Sequence, residues 1–201
     1  MANVKIAVIY YSATGTNHQL ALAAVEGAKE VGADVRLRRV KELAPKEAMA
    51  TNPAWMSHHE ATRETVAEAT LDDLDWADGM VFSVPTRFGG MAAQMKQFLD
   101  TAGPLWGQGK LAGKVVTAMS SASNAHGGQE ATILSLYTTM YHWGAIVVAP
   151  GYTDPVLFPA GGNPYGTSVT ATKEGTVPEE VLAAARYQAQ RVVRIAAKLS
   201  H

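Results

Sequence analysis

The chain has no cysteine among its 201 residues. Disulfides, thiol nucleophiles and cysteine-ligated metal centres are thereby excluded, and redox chemistry would have to come from a bound cofactor. A dominant charge is missing too: 17 Lys and Arg against 18 Asp and Glu give a net charge of −1. That removes the electrostatic case for nucleic acid or an anionic membrane as the main partner. No apolar run is long enough to span a bilayer, and Met1-Ala2-Asn3-Val4 shows no signal-peptide pattern. The expectation is a soluble cytoplasmic protein with no nucleic-acid partner and no membrane insertion. Internal repeats and low-complexity segments are absent as well.

What the chain does have is alternation. Apolar residues make up 47% and charged residues 17%, a balance that suits one domain with a sizeable core. Strands are predicted over 4–11, 34–40, 78–84, 113–119 and 145–149, and helices over 17–31, near 71–75, and over 91–101, 128–142 and 178–199. Thr176 and Glu179, around Pro178, read as a capping box for the last helix. Strands alternating with helices call for a parallel sheet covered on both faces. Five such strands with a ligand loop after the first fit a flavodoxin-like, three-layer, doubly wound α/β fold, strand order 2-1-3-4-5, as a single domain over 1–201. Two stretches exceed what that sheet needs, an irregular polar one at 41–70 and a loop-rich one at 150–177. Connections of this length are usually functional or meet other subunits, and Trp55 and Tyr152 within them read as exposed aromatics. The adjacent His58-His59 pair lacks a carboxylate pattern, so it reads as part of a solvated or interface loop rather than a metal site.

Three strand ends carry the chemistry. After the first strand comes Ser12-Ala13-Thr14-Gly15-Thr16-Asn17. It has no lysine, so it is not a triphosphate loop, and it lacks the three-glycine dinucleotide fingerprint. The hydroxyls of Ser12, Thr14 and Thr16, the amide of Asn17 and the backbone N–H groups of a helix start suit one terminal phosphate. After the third strand comes Ser83-Val84-Pro85-Thr86-Arg87-Phe88-Gly89-Gly90-Met91. Pro85 stiffens it, Gly89 and Gly90 allow close backbone approach, and Thr86, Arg87 and Phe88 present a hydroxyl, a cation and a ring. The fourth strand ends in Ser120-Ser121-Ala122-Ser123-Asn124-Ala125-His126-Gly127-Gly128, again small and polar. All three lie at the carboxyl edge of such a sheet, where ligands bind. A phosphate cradle with two loops flanking a flat ring is a layout for a mononucleotide, with FMN the first candidate and a nucleotide base the second.

Over nearly its whole length the chain resembles the WrbA family, flavodoxin-like NAD(P)H:quinone oxidoreductases once described as tryptophan-repressor-binding proteins. The resemblance rests on Tyr10-Tyr11-Ser12, Pro85-Thr86-Arg87-Phe88-Gly89, Leu105-Trp106, Gly127-Gly128-Gln129-Glu130, His142 and Asn163-Pro164-Tyr165-Gly166. It implies an enzyme, an NAD(P)H dehydrogenase (quinone), with FMN as cofactor, NADH or NADPH as cosubstrate and a tetramer with sites near subunit boundaries. Ser12, Ala13, Thr14, Gly15, Thr16 and Asn17 would hold the FMN phosphate. Pro85, Thr86, Arg87, Phe88 and Gly89 would border the flavin ring, with Arg87 stabilising charge near its pyrimidine end. Ser121, Ala122, Ser123, Asn124 and Gly127 would follow its other edge. Trp106 and His142 would line the substrate space over the ring, His142 also as a flavin contact and proton donor. Relatives often carry an aromatic residue that stacks on the nucleotide's adenine where this chain has Thr14, which offers no ring. Relatives are also often richer in glycine where it has Asn124-Ala125-His126. The implied reaction passes a hydride from NAD(P)H to FMN and then two electrons to a quinone in the same pocket, giving ping-pong kinetics. The alternatives are a flavodoxin-type electron carrier, for which a charge of −1 is unusually small, and an FMN-binding regulatory protein.

Overall fold

A computed structural model describes residues 4–172 and 175–199. Strand β1 (Lys5–Tyr10) is buried along its whole length after Lys5. Its side chains alternate between two cores, as strand geometry requires: Ile6, Val8 and Tyr10 join one cluster, Ala7 and Ile9 the other. β2 (Asp34–Arg39) and β3 (Gly79–Arg87) flank it in parallel. β5 (Val115–Ala122) pairs with β3, and β6 (Ile146–Val147) with β5. The order β2-β1-β3-β5-β6 is 2-1-3-4-5 among the parallel strands, as expected. The extra strand β4 (Gly90–Met91) folds back antiparallel on β3.

Helices α1 (Thr16–Glu30) and α8 (Glu179–Leu199) cover the first core. Helices α4 (Leu71–Trp76), α5 (Ala93–Asp100), α6 (Gly103–Gly107) and α7 (Gln129–His142) cover the second. None of the described helices is long and apolar enough to cross a membrane.

The structure departs from the sequence expectations in four places. The stretch expected to be irregular holds α2 (Lys46–Ala50) and α3 (Pro53–Arg63). They bury only Met49 and Thr62 respectively, so no apolar stripe marks them. α3 is instead started by Asn52, whose side chain accepts from the N–H groups of Ala54 and Trp55. The last strand is split. β6 takes the outer edge of β5 at Val115 and Val116, and β7 (Ser168–Thr170) takes it from Ser120 to Ala122. Pro150 has no N–H to donate and Gly151 turns to a φ of +57°, so the chain loops out before rejoining the sheet. The Glu179 carboxylate pairs with Arg186 instead of reaching back to Thr176 as a capping box would. Trp55 is half-buried rather than exposed, whereas Tyr152 is exposed and stacks on Phe158.

Rings fasten α3 to the body. Tyr10 stacks on His18 at 4.7 Å, and His18 meets His58 of α3 at 5.4 Å. Burial, and then the proximity of His18 and His59, lowers the pKa of His58 from 6.5 to about 4. Burial lowers that of His18 as well. The folded chain therefore binds these protons less readily than the unfolded chain. The stabilisation is complete above the ordinary histidine value and is lost as pH falls toward 4. His58→Gln should flatten the loss of thermal stability between pH 6.5 and 4; a melting series with the wild-type slope would show that His58 is not a titrating group in this range.

α1 and α8 meet at Gly27, where an added β-carbon would overlap the backbone of Arg186. Alanine is the better helix former by about 1 kcal/mol. The opposing contact is with backbone and has no rotamer to yield. Gly27→Ala should therefore lower stability, by about 1–3 kcal/mol, read as a reduced urea midpoint.

Candidate functional site

A cavity of about 620 Å³ opens at the carboxyl edge of the sheet. All three predicted loops line it: Ser12, Ala13, Thr14, Thr16 and Asn17 from the first, Pro85 to Phe88 from the second, Ser121 to Asn124 and Gly127 from the third. Asn52, Trp55 and Ala171 complete the wall.

The first loop turns into α1 through Gly15, whose φ of +100° is a glycine conformation. The Gly15 N–H donates to Ser12 Oγ at 3.0 Å. No side chain caps α1, and its first turn carries no acidic residue. The N–H groups and positive dipole end are thus left for an anion. Asn17 departs from the expected role of its side chain. Its amide is 1% exposed, donates to Ser83 Oγ at 3.1 Å and accepts from Ser121 Oγ at 2.5 Å. Ser83 Oγ in turn donates to the Asn17 carbonyl at 2.9 Å. The Asn17 side chain therefore ties the three loops together beneath the cavity.

The second loop is tighter than the sequence suggested. β3 runs on through Arg87, which pairs with Gly90 of β4. The turn between them is two residues, Phe88 and Gly89, with φ of +52° and +80°. Two left-handed residues are what a twisted two-residue hairpin requires, and Asn-Gly is the usual choice. Here a phenyl ring occupies the first position and stands fully exposed. Thr86 Oγ1 accepts from Thr132 Oγ1 at 2.7 Å and donates to the Gly127 carbonyl at 3.4 Å. A β-carbon on Gly128 would come 2.8 Å from the Gly89 Cα, so the second and third loops touch through their glycines. Gln129 holds the third loop from within by donating to the Asn124 carbonyl at 3.0 Å.

Sequence reasoning missed one anchor beside the cavity. Glu42 accepts from Tyr11 Oη (2.8 Å), Trp55 Nε1 (2.9 Å), Gln94 Nε2 (2.7 Å) and the N–H groups of Leu43 and Ala44 (2.8 and 2.9 Å). Burial pushes its carboxyl up, but these donors outweigh it and hold the group below the usual carboxylate value. Burial and the Glu42 charge push the Tyr11 phenol well up. The Asn52-Pro53 pair, a helix start, was the available signal that this segment is ordered.

Trp106 and His142 are brought together, but away from the cavity. The Trp106 indole donates to the His142 carbonyl at 2.9 Å. Both lie beside the beginnings of β5 and β6, where Gly113 bonds Gly144 and Ile146 bonds Lys114. α7 starts at the third loop, and its 14 residues carry His142 roughly 20 Å from it. Within one chain, then, neither residue lines the cavity, so a single chain does not form the substrate space over the ring that both were expected to line.

Comparisons with known proteins bear on the fold and the family. Residues 4–153 match the family model described as NADPH-dependent FMN reductase. An "NAD(P)H dehydrogenase (quinone)" of Deinococcus radiodurans is 50% identical over 98% of both chains. One of Geotalea daltonii is 44% identical, also over 98% of both. Among solved structures, a WrbA-like flavodoxin from Agrobacterium tumefaciens superposes with a TM-score of 0.69 at 23% identity, over 98% of this chain and 99% of that one. An archaeal flavodoxin reaches 0.59 at 18% identity, over 98% and 100%. These two carry the fold alone, whereas the family model and the relatives place the sequence: the chain belongs to the NADPH-dependent FMN reductase family.

Proposed function

We propose that this protein is an FMN-dependent NAD(P)H:quinone oxidoreductase of the cytoplasm. The observation that carries this reading is the uncapped α1 N-terminus at the floor of a cavity walled by two interlocked loops. That arrangement fits a terminal phosphate joined to a flat ring, and the names of the relatives supply the substrates. Backbone N–H groups of the first loop, with the Ser12, Thr14 and Thr16 hydroxyls, would hold the phosphate. Pro85 to Gly89, with Ser121 to Asn124 and Gly127, would flank the ring.

When bound, FMN supplies two-electron transfer between NAD(P)H and a quinone. The protein's part is binding and electrostatics. Among the described residues, Arg87 is the one charged side chain lining the cavity. Its Nη1 donates to the Thr86 carbonyl at 3.0 Å; with FMN bound, the guanidinium would stabilise negative charge on the ring. A flavodoxin-like carrier remains the competing reading; it shares the cradle but would show no turnover with nicotinamide nucleotide.

The same reading includes a tetramer. Phe88, Trp106 and Tyr141 are exposed at 107%, 58% and 63%, and one chain cannot bring Trp106 and His142 to its own cavity. A neighbouring copy would bring them over it, where Trp106 stacks on substrate and His142 delivers a proton to the reduced quinone. Successive use of that space by nucleotide and quinone gives ping-pong kinetics.

Anaerobic NADPH or NADH should bleach the flavin-loaded protein, benzoquinone should restore its colour, and the released cofactor should run as FMN. Recovery of FAD, or bleaching by dithionite but by neither nucleotide, would overturn the reading. Trp106→Ala should keep FMN and lower quinone turnover threefold to tenfold, since an aromatic contact contributes about 0.5–1.5 kcal/mol. Light scattering on the same sample should show an oligomer; a fully active monomer would remove the neighbour from the site.

A further inference from the structure

One wall of the cavity is built by a segment the parallel sheet does not need. α3 begins at Asn52 and sets the Trp55 side chain against the first loop, where it lines the cavity with Ser12, Thr14 and Thr16. The indole is held in place. Its Nε1–H donates to Glu42 at 2.9 Å, and Glu42 is itself fixed by Tyr11, Gln94 and two backbone N–H groups. Charge-assisted bonds of this kind are short and strong. A ring already immobilised offers a stacking face without further loss of side-chain freedom.

Among the described residues, two aromatic rings line the cavity, Phe88 at the second loop and Trp55 beside the first. Residues Ser12 to Asn17 contribute none. A nicotinamide dinucleotide has two flat parts joined through a pyrophosphate. Its nicotinamide must reach the redox ring between the second and third loops, so its purine must rest elsewhere along the cavity. We infer that Trp55 is the base-stacking residue for the purine of the dinucleotide substrate. This rests on the NAD(P)H reading above. The site takes the π face of an adenine, an interaction that base–aromatic stacks provide without hydrogen-bond readout.

The test uses the FMN-loaded protein and two half-molecules. ADP-ribose carries the adenine without nicotinamide; reduced nicotinamide mononucleotide carries the nicotinamide without adenine. Trp55→Ala should weaken ADP-ribose binding, measured by calorimetry, by about tenfold, the loss expected for one base–aromatic stack. Trp55→Phe should recover most of it. The KM for NADPH should rise by a similar factor while that for reduced nicotinamide mononucleotide stays put. FMN affinity, read by fluorescence titration of the apoprotein, should not change. Unaltered ADP-ribose binding would overturn the inference. So would an equal rise in KM for both reductants, or a loss of FMN, each of which assigns Trp55 to the flavin or the fold. If neither NADPH nor NADH reduces the wild type, the oxidoreductase reading falls, and ADP-ribose calorimetry still decides Trp55.

Discussion

The site depends on one buried polar knot. Asn17, Ser83 and Ser121 come from α1, β3 and β5 and are 1%, 0% and 4% exposed. Burying such groups is costly unless each finds a partner, and here each does. The net gain per bond is only about 1 kcal/mol, whereas an abandoned partner costs about 1–3 kcal/mol. The knot therefore acts chiefly on geometry. Sheet register sets Ser83 level with Tyr10 and Met119 and Ser121 two residues further on, opposite Pro85, so the Asn17 side chain bridges that step between the strands. The three loops consequently leave from a common floor. Above it, the Thr132–Thr86–Gly127 chain and the Gly89–Gly128 contact join the upper loops. A cradle fixed in two layers has little reorganisation left when an anion and a flat ring enter.

Much of this was legible because it is periodic. Continuous apolar runs in β1, β3 and β5 announced strands covered on both faces, and their order followed from alternation with helices. The loops were legible by composition. Their bonding was not: nothing in the string Thr16-Asn17 tells a donor that faces a phosphate from one turned into the core. The segment containing α2 and α3 was illegible for a different reason. Its contacts are made by His58, Trp55 and the Glu42 carboxylate rather than by a stripe of leucines. The split last strand was missed because Ile146 to Ala149 is apolar throughout, and a run of residues does not say where its partner strand ends. Trp106 and His142 show another limit. A motif match reports which residues accompany a function, not whether they meet within one chain; the length of α7 keeps His142 away from its own chain's cavity.

The two additions to the sheet sit where they can act. β2 is the edge strand beside β1, so a segment inserted after it lands against the first loop, and α3 does so through His58 and Trp55. At the other edge, the excursion between β6 and β7 returns alongside Ser120 to Ala122, next to the third loop, and places Ala171 in the cavity wall. Each end of the site is thus finished by a segment that does not cross the central strands. Changes there can alter what the cavity accepts while leaving the knot and the glycine contacts intact.

That division explains how the same frame can serve as a carrier or as an enzyme. The phosphate cradle and paired loops belong to the frame, and a frame of this kind hosts many functions. Among the described residues, the cavity they form presents one charged side chain, Arg87, and the frame itself contributes small polar groups and backbone rather than a set of acids and bases. Discrimination between a protein redox partner and a dinucleotide must then come from the added walls. An open, acidic rim would favour docking of another protein. This chain instead carries a charge of −1 and a wall with an indole locked to a saturated carboxylate. A fixed aromatic face beside an uncapped helix start suits small, flat, anionic molecules better than a protein surface.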